Sequence, residues 1–153
     1  RQDSTRAGLD AVPEGFSYVA VHDGARPLIK SQTIDSAARV LMANAEIDGV
    51  VCGQPAIDTL KRVEPDGRII DTPPRSQFWT VQTPQIFTVA ALRCAFEVAD
   101  RTGFVGTDDA SLVERAGGSV LCVESPRDNI KVTVPEDLAV VAGALRRSSG
   151  YEA

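Results

Sequence analysis

Cysteine and histidine are scarce in this chain. Three cysteines, Cys52, Cys94 and Cys122, stand far apart among 153 residues, with no CxxC pair. An odd count without paired spacing argues against a disulfide framework and for buried small side chains in a reducing compartment. His22 is the single histidine, which excludes a histidine-built metal cage. It adjoins no plausible nucleophile, so no Ser/His/Asp or Cys/His relay can be assembled. Apolar runs are a few residues long, well short of the ~20 that span a bilayer. No signal peptide or lipidation motif is visible. Basic residues do not dominate: 16 Lys and Arg face 21 Asp and Glu, a net charge of −5. That argues against a nucleic-acid polymer, but leaves room for local cation clusters that hold a small anion. Neither GxGxxG nor GxxxxGK[ST] occurs, so no Gly-rich phosphate cradle is expected between Arg1 and Ala153.

What is present reads as a globular α/β chain of one domain. Apolar residues make up 43% and charged residues 24%, which are ordinary values for a packed domain. Arg1 to Val12 reads as a helix ending before the turn Pro13-Glu14-Gly15. Tyr18-Val19-Ala20-Val21 reads as a strand buried on both faces. Ile34, Ala37, Ala38, Leu41 and Met42 recur at helical spacing within 31–44. A second buried strand spans 49–52. The stretches 57–63 and 68–72 flank Glu64-Pro65-Asp66-Gly67 and predict a hairpin. Its apolar positions are broken by Lys61, Arg62, Arg68 and Asp71. Two isolated strands are marginal in water, so the hairpin either lies solvated on its own domain or packs on a second subunit. Thr88 is placed to cap a helix to residue 100 or 101. Thr107, Asp108 and Asp109 open another, with the paired acids read as capping residues rather than as a metal site. A strand over 119–123 follows. Thr133-Val134-Pro135-Glu136 has the form of a capping box for a last helix to Leu145.

Two strand ends stop in charged residues. Val21 is followed by His22-Asp23-Gly24-Ala25-Arg26-Pro27, and Val123 by a loop containing Asp128-Asn129-Ile130-Lys131. Parallel sheets gather ligand groups at the carboxyl ends of their strands. A carboxylate with an arginine three residues on suits a metal ion and a phosphate, and a lysine beside a helix start suits an anion. The plain alternatives are a loop salt bridge and a surface lysine. Thr83 precedes Pro84 and so belongs in extended backbone, at an expected strand end. Trp79 reads as core or interface packing.

In order, the pieces Arg1-Gln2-Asp3-Ser4, His22-Asp23-Gly24-Ala25-Arg26-Pro27, Asp58-Thr59-Leu60-Lys61-Arg62, Gln82-Thr83-Pro84-Gln85, Thr107-Asp108-Asp109-Ala110-Ser111 and Asn129-Ile130-Lys131-Val132-Thr133 resemble the 2-C-methyl-D-erythritol 4-phosphate cytidylyltransferases of isoprenoid precursor synthesis. The resemblance runs from residue 1 to about 147. It implies a Rossmann-like nucleotidyltransferase fold, a twisted and mostly parallel sheet with flanking helices and a protruding β-hairpin arm. It also implies transfer of a cytidylyl group from CTP to methylerythritol phosphate, with Mg²⁺, in a cytoplasmic homodimer joined through an arm over about 55–82. By the same resemblance Lys131, Arg75 and Asp23 are catalytic, and Asp23 also faces the metal. Arg26, Thr59 and Thr83 bind the sugar-alcohol phosphate, with Thr59 and Arg75 reaching into the neighbouring subunit. Ser4, Gly24 and Ala25 meet the nucleotide.

Gly24 stands where the family more often has alanine. The family's Gly-rich triphosphate loop would precede Arg1, so residues 1–147 correspond to the C-terminal part of one cytidylyltransferase domain, with 148–153 as a tail. The 153 residues alone are expected to bind CTP poorly and lack activity. A pentitol phosphate such as ribitol 5-phosphate is the nearest alternative acceptor. A non-catalytic α/β interaction module is the alternative of another class.

Overall fold

The computed structural model describes residues 1–148. Its main sheet has four strands, β1 (Tyr18–Val21), β2 (Gly49–Pro55), β5 (Trp79–Thr88) and β6 (Val120–Glu124), in the order β1-β5-β2-β6. β2 and β6 are parallel, and β5 runs antiparallel to both β1 and β2. Three of the four strands therefore share one direction, but β5 is inserted between β1 and β2, so the sheet that was expected to be mostly parallel is mixed, with β2–β6 its parallel pairing. Helices lie on both faces. They are α1 (Gln2–Asp10), α2 (Ser31–Met42), α3 (Val89–Thr102), α4 (Asp109–Arg115) and α5 (Pro135–Ser148).

The two-residue alternation of the central strands divides the core. Val51 and Phe87 face a cluster with Leu9 of α1, Leu92 and Phe96 of α3, and Leu112 and Val113 of α4. Val50, Cys52 and Ile86 face the other way, onto Ala37 and Leu41 of α2. β2 is buried along almost its whole length, as its apolar run predicts. β1 is not. Val19 and Val21 pack towards the α1/α3 layer, while Tyr18 is exposed. Among the described residues β1 pairs with β5 alone, and no β1 side chain joins the α2-side cluster. Met42 is also exposed, although its spacing placed it inward.

β5 departs most from the sequence reading. Thr83 and Pro84 lie in mid-strand, and the Thr83–Pro84 peptide is cis. The pairing with β2 shifts between Val51 and Gly53, so the ladder is irregular opposite the proline, as a missing N–H requires.

The hairpin forms, but is shorter than its pattern. β3 (Arg62–Val63) pairs with β4 (Ile69–Asp71) as a separate two-stranded sheet. Gly67 takes a positive φ of 85°, and its amide closes the turn onto Glu64. Of the charges that interrupt the apolar pattern, Arg62 pairs with Asp71 and Lys61 Nζ with Thr72 Oγ1 at 2.7 Å across the hairpin, while Arg68 pairs with Asp66 in the turn.

Caps fix where the helices begin. Thr88 Oγ1 accepts the Ala91 amide. Asp108 and Ser111 form a reciprocal box for α4, which ends at Arg115. At α5 the box expected of Glu136 is made by Asp137, whose Oδ2 accepts from the Thr133 and Val134 amides and the Thr133 hydroxyl. Leu145 lies within α5, which extends to Ser148. The rest of the expected tail, 149–153, lies outside the described residues.

Candidate active site

The loops that follow β1 and β6 meet over the middle of β5. The first carries Asp23 and Arg26. The peptide N–H of Arg26 bonds back to the Asp23 carbonyl, a tight turn that turns both side chains to one side. The second carries Lys131, and the Val132 amide donates to the Ala25 carbonyl at 2.8 Å, stitching the two loops together. Lys131 Nζ lies 3.2 Å and Arg26 Nε 3.3 Å from the same oxygen, Asp23 Oδ2. The cations read from separate strand tips therefore converge, although 105 positions separate Arg26 from Lys131 in the chain.

A buried polar scaffold holds them. Arg26 is 9% exposed, and its Nη1 donates to the Asn129 carbonyl at 2.8 Å. Asn129 in turn donates to Gln82 Oε1 and the Thr83 carbonyl, and Ser125 donates to Gln82. Buried polar groups demand partners, and here the partners come from both loops and from mid-β5, so the loops cannot shift independently of the sheet. Thr83 is 3% exposed. Its hydroxyl accepts the Asp23 amide at 3.0 Å and lies 3.0 Å from His22 Nδ1.

Burial raises the Asp23 carboxyl, but Lys131 above all, with Arg1 and Arg26, outweighs burial and holds it below the ordinary carboxylate range. Arg1 also lies 3.0 Å from Asp109 Oδ2. Asp109 is almost wholly buried, and burial pushes its pKa up against the opposing effect of Arg1 and Thr5. The ion-pair distance is short, yet the guanidinium N–H groups do not aim at that oxygen. Of the two acids read as capping residues, Asp108 is the cap and Asp109 faces inward.

Beside Asp23 a cleft of about 580 Å³ runs between α1 and β1, and Arg1, Ser4, Gly8, Val21, Asp23 and Gly24 are among its lining residues. Ser4, Asp23 and Gly24 thus line one cavity. A Cβ at Gly24 would meet nothing within 4 Å, so the loop has room for alanine. Ala25 contributes its carbonyl to the loop joint. Among the described residues no group of three or more His, Cys, Asp or Glu side chains is arranged around a metal. Asp23 offers one hard carboxylate, which fits a magnesium ion held mainly by phosphate oxygens and water.

The family model for 2-C-methyl-D-erythritol 4-phosphate cytidylyltransferase (IspD) matches residues 1–147. The chain belongs to that family. A relative so named from Synechococcus sp. (strain WH7803) is 44% identical over 145 residues, covering 95% of this chain and 64% of the relative. The chain therefore spans somewhat under two thirds of the length of the curated relatives it matches. Among solved structures, 4-diphosphocytidyl-2C-methyl-D-erythritol synthase from Anaerococcus prevotii superposes with a TM-score of 0.86 at 28% identity, over 95% of this chain and 66% of that one. The cytidylyltransferase from Thermus thermophilus gives 0.78 at 39% identity, over 95% and 68%.

Two members of the expected cytidylyltransferase set stand apart. Thr59 is exposed. Arg75 occupies a 3-10 turn, Arg75–Gln77, between β4 and β5, and its Nη1 donates to the Ile57 carbonyl at 2.5 Å. No hydrogen bond or ion pair among the described residues joins either to Asp23, Arg26 or Lys131. Sequence reasoning missed His22, Asn129 and Gln82 as parts of the scaffold. Each sits inside a motif that was recognised, but a neutral polar side chain gives no sign in sequence of the backbone carbonyl or hydroxyl it will meet.

Proposed function

We propose that this chain is the part of a cytidylyltransferase that binds 2-C-methyl-D-erythritol 4-phosphate and, with CTP, forms the cytidine diphosphate product and pyrophosphate. The observation that carries this reading is the meeting of Arg26 and Lys131 on one oxygen of Asp23, at the rim of the cleft that Ser4 and Gly24 line. A phosphate dianion presents more acceptor oxygens than one carboxylate and competes for both cations. A local surplus of positive charge inside a chain of net −5 suits a small anion rather than a polymer.

The acceptor phosphate attacks the α-phosphorus of CTP. A new phosphorus–oxygen bond forms, the bond to the β-phosphate breaks, and pyrophosphate leaves with that oxygen. A phosphate monoester is largely dianionic near neutral pH, so no general base is needed, consistent with a lone histidine whose two ring nitrogens are both already engaged. What remains is to bring two polyanions together in line, which is positioning and charge compensation. Lys131 and Arg26 hold the acceptor phosphate. Thr83 stands behind them, and Ser4, Gly24 and Ala25 border the nucleotide. A magnesium ion, when bound, neutralises triphosphate charge beside Asp23.

Arg75 and Thr59 complete the pocket of a second copy. The arm supports that reading, because Ile57, Ile69 and Ile70 are each more than half exposed and Val63 is half exposed. Such an apolar surface asks for a partner. The three free thiols suit a reducing, cytoplasmic compartment.

The test uses the complete gene product. Lys131→Ala and Arg75→Ala should each lower turnover by about 10² to 10³, the usual effect of removing one preorganised charge donor. Near-normal rates in both would refute the assignment. Mixing the two inactive variants should restore activity, since a mixed dimer holds one intact pocket. No recovery after verified subunit exchange would refute sharing. Turnover with methylerythritol phosphate should far exceed that with ribitol 5-phosphate.

A further inference from the structure

We propose that His22 is a positioning residue, whose ring locks the Asp23–Arg26 loop to β5 by accepting a hydrogen bond from the Thr83 hydroxyl. Both ring nitrogens are engaged: Nε2 lies 3.2 Å from the Arg26 carbonyl oxygen, and Nδ1 lies 3.0 Å from Thr83 Oγ1. A carbonyl oxygen only accepts, so Nε2 carries the proton. The Asp23 amide donates to Thr83 Oγ1 at 3.0 Å and occupies one of its lone pairs. The hydroxyl proton is then free for the bare Nδ1. The result is a closed relay from the Asp23 amide through Thr83 and His22 to the Arg26 carbonyl. It begins and ends on the two residues whose side chains meet at 3.3 Å.

This inference deepens the proposed function and rests on it for its kinetic consequences. Thr83 is buried and its proton is committed to the ring. It therefore acts on the acceptor phosphate by fixing Asp23 and Arg26 rather than by donating to that phosphate itself. The sequence singled out Thr83 as a contact and set His22 aside, whereas the geometry makes them one unit.

The 153 residues hold a single histidine, and in the complete gene product labelled with ¹⁵N-histidine the His22 signals are those that His22→Ala removes. At pH 8 those signals should show a protonated Nε2 and an unprotonated Nδ1. The amide proton of Asp23 should exchange about tenfold faster in both His22→Ala and Thr83→Val, because each breaks the relay. A protonated Nδ1 with a bare Nε2, or an Asp23 amide unaffected by His22→Ala, overturns the proposal. Neither readout depends on turnover.

In the complete gene product, His22→Ala and Thr83→Val should each lower kcat/KM for the sugar-alcohol phosphate by about tenfold, and the double variant by little more than either alone. Multiplying effects would deny that they act as a unit. His22→Asn, whose amide oxygen reaches the place of Nδ1, should recover more of the rate than His22→Ala. A complete protein that turns over neither substrate sinks the proposed function while leaving the labelling result to decide the relay.

Discussion

Asp23 receives Lys131 and Arg26 on one oxygen and keeps a carboxyl held below its usual range. A depressed folded-state pKa means that the unfolded chain binds the proton more readily. The contribution of Asp23 to stability is thus present above the ordinary aspartate range near 4 and is lost as pH falls through the lower folded value. Asp23→Asn should therefore be less stable than the parent at pH 7, and the gap should close towards pH 3. Urea unfolding midpoints at the two pH values check this, and a gap that widens in acid contradicts it. The thiols differ in a similar way. Burial raises Cys52 to about 11, while Cys94 and Cys122 are exposed. Partial burial, with Glu114 and Asp108, also raises Cys122. A thiol-specific chromogenic reagent at pH 8 should label Cys94 first, Cys122 more slowly and Cys52 only after unfolding. The sequence reading put all three inside. Runs such as Val-Leu-Cys-Val look buried whether their strand is central, as β2 is, or lies at an edge, as β6 does.

At the level of elements, glycines and caps separate close packing from open space. A Cβ at Gly49 would stand 2.3 Å from Phe87 Cδ1 and 3.2 Å from the Ile86 carbonyl oxygen. Phe87 is fully buried and cannot swing away. Gly49→Ala should cost about 1–3 kcal/mol through overpacking, whereas Gly24→Ala should be close to neutral. Thr88→Ala removes the cap of α3 and should cost about 1 kcal/mol. Equilibrium denaturation of the three variants orders them directly. At α5, Asp137→Ala should lower the melting temperature more than Glu136→Ala. The box was legible as a place in the chain, because Pro135 and the neighbouring acids mark a helix start. Which acid closes it depended on side-chain reach. Thr88 and Asp108 were legible outright, since a short polar side chain before an apolar helical period has few other uses. The strand through Thr83-Pro84 was not, because proline normally argues against a strand interior and the bulge that tolerates it is a property of the pairing with β2.

Across the whole molecule, the arm combines paired charges with exposed apolar side chains. Arg62, Asp71, Lys61 and Thr72 satisfy one another across the hairpin, while Ile57, Ile69 and Ile70 face outward. Under the dimer reading, Ile69→Asp together with Ile57→Asp should shift the complete gene product towards monomer in sedimentation velocity, without changing the helix content of each subunit. An unchanged sedimentation coefficient would remove the arm from the interface. Sequence by itself determined the alternation of strands and helices, the buried run of β2, most helix starts, and the motifs that mark Asp23, Arg26 and Lys131, because periodicity, capping chemistry and short motifs are local. Only the tertiary structure decided that Lys131 and Arg26 share one carboxylate oxygen, that His22 closes on Thr83, and that β5 runs against its neighbours. Each of those depends on residues scores of positions apart meeting at hydrogen-bond distance, and no local pattern encodes such a meeting.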